Sequence, residues 1–340
     1  MSVDPRVADL LASPKARWAL AWLAATPADE SAPADAFNAA DTRPRHSRLH
    51  QLRHNPAGLL AEIHTHVDDW RYNRAGRRGV DRLGPVDGYA RLAAYLLTTP
   101  AADWWYQPLN LTSQTWICDD PDITHGHRLP FSTNFGHHWD ATGPAVAPAT
   151  STRLPNLPAT VLLADHDLAP HQRPKPGTLS AWRAQLKPDV RVYEIQGAVD
   201  WVNLVAQYPS HRTDLCLAPD LMSRWRPKEL VWTPDWRAVA QDYDGVHMSV
   251  PGWLTATSQI LDLPDRDGHT ICEGWPAEST TWFRPVFSGP FERLDTGPLG
   301  YGYGRPTAGA DHDLTTPVLP AGPWWRRLLR PFGAKDIAFL

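Results

Sequence analysis

The stretch VRVYEIQGAVDWVNLVAQYP, residues 190–209, decides the fold. Its first six residues, VRVYEI, are rich in β-branched and aromatic side chains, so they read as a strand. Residues 197–209, GAVDWVNLVAQYP, place apolar side chains at helical spacing and read as an amphipathic helix that Pro209 stops. A further strand is expected upstream at VLLAD, 161–165. Downstream, Thr233-Pro234 opens a short helix through Gln241, with Thr233 as cap and Pro234 at the first helical position. Strands are then expected at 245–250 (GVHMSV), 269–275 (HTICEGW) and 280–287 (TTWFRPVF). This succession predicts an α+β core domain over 159–290 whose sheet is mainly antiparallel.

On the N-terminal side, residues 1–98 read as a mostly helical region packed on that core. Asp4 caps a helix over 4–25, Pro5 occupies its first turn, and Pro14 kinks or splits it. Two further helical stretches are expected near 56–72 and 86–98, the second placing Tyr89, Leu92, Ala93 and Leu96 on one face. Residues 26–55 read as a linker. The segment 99–158 is loop-rich and dense in tryptophan and histidine, and 291–340 reads as a Gly/Pro-rich tail.

Composition narrows the classes of function. The chain has 340 residues, 34 of them proline and 17 tryptophan, so many loops and a heavily aromatic interior are expected. A net charge of −4 gives no reason to expect a nucleic acid partner, and the basic stretches 43–54 and 71–82 read as solvated faces. Three cysteines without CxxC spacing argue against a disulfide framework or a thiolate zinc site. With no signal-like start and no apolar run of membrane-spanning length, the expected address is the cytoplasm and the expected partner a small molecule or a protein.

Gly-rich phosphate loops and the GxSxG elbow are both missing from the sequence, and GYGYG at 300–304 lacks the strand-to-helix context such a loop needs. Histidines cluster at His125-Gly-His127 and at His137-His138 with Asp140. On a strand, an i, i+2 pair would aim both imidazoles to one face, as a divalent metal requires. Surface or hydrogen-bonded histidines are the first reading of this spacing, and these four are the candidate ligands if a metal is bound.

The order of chemistry-bearing residues in the second half is suggestive. Arg191 lies in a strand followed by a helix, Gly-Trp-Leu-Thr-Ala-Thr-Ser follows at 252–258, and Glu278 stands just before a late strand. This order resembles ADP-ribosyltransferases, in which a first-strand Arg, an aromatic with an S-T-S-like strand, and a late Glu surround NAD. The middle motif here is Thr255-Ala256-Thr257, and Pro276 stands two residues before Glu278, where the family has Gln or Glu. The resemblance implies NAD as co-substrate, with Glu278 as the carboxylate beside the ribose, Arg191 clamping the diphosphate, and Thr255 and Thr257 as strand hydroxyls. Trp253, with those hydroxyls, would hold the nicotinamide end, and Tyr193 is a further cofactor-binding residue. Such chemistry needs a carboxylate where an oxocarbenium-like ribose develops positive charge, and a guanidinium for bidentate diphosphate binding.

Residues 159–287 also resemble a group of tryptophan-bearing bacterial proteins, which implies a recurring domain and carries no activity with it. The leading expectation is therefore an NAD-consuming transferase or glycohydrolase. The alternative is a non-enzymatic binding module that stacks a ligand or partner on Trp104, Trp105, Trp116 and Trp139, and the third is a metal-dependent enzyme built on the histidine pairs.

Overall fold

The computed structural model describes residues 4–24, 47–56, 58–60, 63, 87–118, 147–150, 179–212, 230–257, 259–272, 275, 278–284 and 286–299. All lie within one compact unit, Met1–Thr307. The architecture is α+β, with helices N-terminal and strands concentrated in the C-terminal half.

Asp4 caps α1 (Pro5–Ala12) by accepting the Arg6 amide at 2.9 Å. Pro14 then starts a separate helix, α2 (Pro14–Ala24), so the expected split falls where proline removes a backbone donor. Next come α3 (Arg48–Leu52), α4 (Asp87–Leu97) and a 3₁₀ helix, Pro100–Tyr106. The remaining elements are β1 (Ser113–Cys118), β2 (Ala147–Thr150), β3 (Leu179–Leu186), β4 (Val192–Ile195), α5 (Ala198–Gln207), β5 (Pro209–Arg212), β6 (Val231–Pro234), α6 (Trp236–Asp242), β7 (Gly245–Met248), α7 (Val250–Ala256), β8 (Ile260–Asp262), β9 (His269–Ile271), β10 (Ser279–Trp282) and β11 (Phe287–Leu299).

Among the described residues three sheets form, in the orders β1-β3-β11, β2-β10-β7-β4 and β5-β6-β9-β8. Their pairings are antiparallel except β4 with β7 and β6 with β9. Among the described residues the helical region shares one core with the sheets. Leu10, Leu20, Leu23 and Tyr89 belong to the same buried cluster as Ile195, Trp201, Val246, Met248 and Trp253.

Several local expectations are corrected. Thr233 and Pro234 end strand β6, and the cap of α6 is Asp235, whose carboxylate accepts the amides of Arg237 and Ala238. The strand expected over 245–250 stops at Met248, because the Ser249 hydroxyl accepts the Gly252 amide at 3.1 Å and starts a helix. The strand expected over 269–275 ends at Ile271, and that expected over 280–287 divides into β10 and the start of β11. β11 also runs through the segment read as the beginning of a tail. It occupies the edge of its sheet, where proline's missing N–H removes no ladder bond. The end of the stretch read as a linker and a solvated basic face is helix α3, whose Arg48 and Leu49 are buried, because Ser47 caps it and accepts the His50 amide. The strand expected at 161–165, residues 26–46, the basic stretch 71–82 and the tail beyond residue 299 lie outside the described residues.

Candidate functional site

The parallel pair β4–β7 organises the most chemically dense part of the described chain. Each strand is followed at once by a helix: β4 by α5 through Gln196-Gly197, and β7 by α7 through Ser249. In open parallel α/β sheets, ligands meet the loops at the carboxyl ends of the strands, and this isolated parallel pair has an end of the same local form. The two ends of this pair differ sharply.

At the carboxyl end, the Ile195 carbonyl accepts both the Ser249 amide, at 3.1 Å, and the Ser249 hydroxyl, at 3.0 Å. Ser249 thereby ties β4 to the start of α7. Gly252 comes so close that a Cβ on it would lie 2.1 Å from the same carbonyl oxygen, so only glycine fits. Ser279 of β10 pairs with Met248, which puts Glu278 one residue beyond the paired strands at this end. Glu278 is 2% exposed and adopts φ 47°, a left-handed conformation that costs a non-glycine residue roughly 1 kcal/mol or more. Next to it, the Ser279 hydroxyl accepts the Trp275 indole N–H at 3.1 Å. Across the sheet, the Gln196 amide donates to Asp200 at 2.8 Å and its side chain to Glu194 at 3.2 Å.

Arg191 sits at the amino end of the same pair. Its amide donates to Asp244 Oδ2 at 2.8 Å, its carbonyl accepts the Asp244 amide, and its guanidinium reaches the Gln241 carbonyl at 3.4 Å. Arg284 meets Asp244 there too, at 3.1 Å. Ile195 is in register with Met248, and Met248 with Ser279. Arg191 and Glu278 are therefore separated by five residue steps along the strands, about 16 Å at 3.3 Å per residue. The structure does not bring these two together.

Thr255 and Thr257 are not on a strand. The segment that carries them is α7 and its C-cap, because Ser249 and Pro251 supply helix-starting chemistry. Both hydroxyls bond back into the helix, Thr255 to the Pro251 carbonyl and Thr257 to the Trp253 carbonyl, each at 2.7 Å. Thr255 Oγ1 lies 3.8 Å from where a Cβ on Gly197, at the carboxyl end, would sit. Thr257 faces the N-terminal helices and accepts from Lys15 Nζ at 2.5 Å. The Lys15 ammonium also lies 3.6 Å from the centre of the Trp253 ring, and both residues are 1% exposed. Trp253 is thus a core residue under a buried cation.

Tyr193 points to the core side of β4, where its hydroxyl donates to the Asp200 carbonyl at 2.7 Å and its ring meets Tyr243 edge-on. Burial first, then the Asp200 carboxylate and the Tyr243 phenol, push its ionisation up to about 12. A phenol raised in the folded state adds stability below the unfolded value near 10, and that increment disappears as pH climbs from about 10 to about 12. Alkaline titration of phenolate absorbance is expected to show Tyr193 among the late-ionising phenols, so that Tyr193→Phe lowers the late absorbance by one phenol; loss of absorbance from the component near pH 10 instead would contradict this.

Of the tryptophans proposed as a stacking surface, Trp104 and Trp105 are buried at 7% and 2%. The Trp116 side chain and Trp139 lie outside the described residues, as do His125, His127, His137 and His138. Among the described residues, no group of three or more metal-binding side chains converges.

Sequence reasoning missed the polar face of the central sheet. Cross-strand partners share a face, so Glu194, His247, Thr280 and Thr150 form one row across β4, β7, β10 and β2. His247 Nδ1 lies 3.0 Å from Thr280 Oγ1, and the Thr150 hydroxyl accepts from the Trp282 indole and donates to Gln114 Oε1, both at 2.8 Å. Alternate residues Ile195, Val246 and Met248 face the apolar core instead.

No protein family, curated protein or solved structure matches this chain. Among the described residues, no helix is long and apolar enough to cross a membrane.

Proposed function

We propose that the carboxyl end of the β4–β7 pair is a glycosyl-transfer site, in which Glu278 is the carboxylate that steadies an oxocarbenium-like sugar. The observation that carries this reading is the placement of Glu278: a buried carboxyl group, held in a left-handed backbone conformation, one residue beyond strands that end in helix-starting loops. Strained, buried titratable residues at the ends of strands are where catalytic groups concentrate. NAD remains the co-substrate of first choice through the resemblance described above, with nicotinamide as the leaving group.

The geometry supports the sugar half of that reading more than the diphosphate half. The described residues at this end contribute carboxylates (Glu194, Asp200 and Glu278), and none of those between Glu194 and Asp200, Met248 and Pro251, or Glu278 and Thr280 is cationic. Arg191, to which the resemblance assigns the diphosphate, stands at the opposite end. Arg191 is accordingly left out of the proposed site, and Trp253 and Thr257 act in it only through the packing of α7.

The test is release of nicotinamide from NAD by the purified protein. Glu278→Gln removes the charge while keeping the shape, and a fall of about 10²- to 10³-fold is expected, the usual effect of deleting one preorganised electrostatic partner. The circular dichroism and melting temperature of the variant establish that it folds. A wild-type protein that leaves both NAD and simple N-ribosides intact would rule the reading out.

A further inference from the structure

We propose that Trp275 is a positioning residue for Glu278: its indole, hydrogen-bonded to Ser279, clamps the turn in which Glu278 takes its left-handed backbone. The consequence for turnover rests on the glycosyl-transfer reading above, whereas the clamp itself can be tested without any turnover.

Ser279 pairs with Met248 of β7, and cross-strand partners share a face, so its side chain stands on the face that Met248 turns to the apolar core. Ser279 is fully buried there. A hydroxyl in such a setting costs desolvation unless it is hydrogen-bonded, and the Trp275 indole N–H donates to it at 3.1 Å. The serine is held in turn by the β7–β10 ladder.

Trp275 is anchored by packing. It is 4% exposed, and its ring lies against Trp236 of α6 with the centroids 6.0 Å apart. Trp236 also meets Trp201 of α5 at 6.3 Å and Phe283 at 5.9 Å, so four aromatic rings form one cluster around it. The indole bond therefore ties two fixed points four residues apart, with Glu278 between them at φ 47°. A non-glycine residue stays in that region only where its surroundings over-determine it, and this bond supplies the constraint. Placement matters for a reacting group, since an error of about 1 Å can cost about 10²-fold in rate.

The experiment has two arms. In the first, glycine relieves a positive φ that alanine cannot, so Glu278→Gly is expected to melt about 2 °C above Glu278→Ala. In a Trp275→Phe background, which keeps a ring and removes the N–H, that gap is expected to shrink by half or more because the turn relaxes. No gap, or a gap of equal size in both backgrounds, would overturn the clamp whatever the protein does to NAD. Should Trp275→Phe fail to fold, Ser279→Ala takes its place in this comparison.

The second arm is nicotinamide release from NAD. Trp275→Phe and Ser279→Ala are each expected to lower kcat about tenfold with KM within about twofold of the wild type. The double variant should fall no further than the worse single, because both remove the same bond. Singles that keep kcat within about twofold, beside a Glu278→Gln protein that has lost activity, would overturn the positioning role and leave the Glu278 reading standing. Wild-type protein inert towards NAD and simple N-ribosides would remove that reading and the positioning role together, and the melting comparison would still decide the clamp.

Discussion

Trp253→Ala is expected to destabilise the protein by about 5 kcal/mol, the largest effect of any single substitution considered. Truncating a buried tryptophan costs about 3–5 kcal/mol in lost transfer energy and cavity formation. Here a second loss is added, since the Lys15 ammonium lies 3.6 Å from the ring centre and is itself 1% exposed. A desolvated cation over an aromatic face gains about 2 kcal/mol from it. Because a whole domain is stable by only about 5–15 kcal/mol, the variant should sit near the edge of folding. Urea unfolding checks this, and the pair Lys15→Met with Trp253→Phe, measured as a double-mutant cycle, isolates the contribution of the cation. A loss below about 2 kcal/mol for Trp253→Ala would mean that α7 does not join the N-terminal helices to the C-terminal sheet as described.

Gly252→Ala comes second, by the opposite mechanism. A methyl group at this position would meet the Ile195 carbonyl oxygen at 2.1 Å and the Met248 sulfur at 3.0 Å. The first neighbour is backbone and already accepts two bonds from Ser249, so it has little freedom to retreat. Overpacking of this kind costs about 1–3 kcal/mol and occasionally more, and a backbone obstacle puts it at the upper end. The melting temperature is expected to drop by several degrees. The consequences should reach past stability, because pushing α7 away from β4 disturbs Ser249, which stands level with Glu278. Unchanged stability in Gly252→Ala would contradict the close approach of α7 to β4.

These two positions also show why the sequence was only partly legible. β4 and α5 were readable because VRVYEI and GAVDWVNLVAQYP carry their own period and Pro209 marks a boundary. The break between α1 and α2 was readable for the same reason, at Pro14. By contrast α7 and its caps read SVPGWLTAT, with a glycine and one threonine inside the helix and Thr257 at its C-cap, and a strand was expected. The signal that identifies the helix, Ser249 before Val250-Pro251, is present in the sequence and was outweighed by the β-branched residues around it. β11 looked like a tail because of its glycines and prolines, which an edge strand tolerates.

The site was legible residue by residue and not as an arrangement. Glu278 was singled out, and the structure puts it, 2% exposed, one residue beyond the paired end of β10. Arg191 was singled out with it, but strand direction and register decide which end of a sheet a residue occupies, and neither is written in residue order. His247 escaped notice because its partner Thr280 is 33 residues further on and the two meet only through the β7–β10 pairing. Lys15 escaped for the same reason, since 242 residues separate it from Thr257.

The most direct measurement is nicotinamide release from NAD by two single variants, Glu278→Gln and Arg191→Ala, assayed beside the wild type. With Glu278 at one end of the strands and Arg191 at the other, the proposed site predicts that Glu278→Gln loses about 10²-fold or more, while Arg191→Ala stays within about threefold, less than 1 kcal/mol of transition-state stabilisation. Abolition of turnover by Arg191→Ala, with Glu278→Gln still active, would contradict the account.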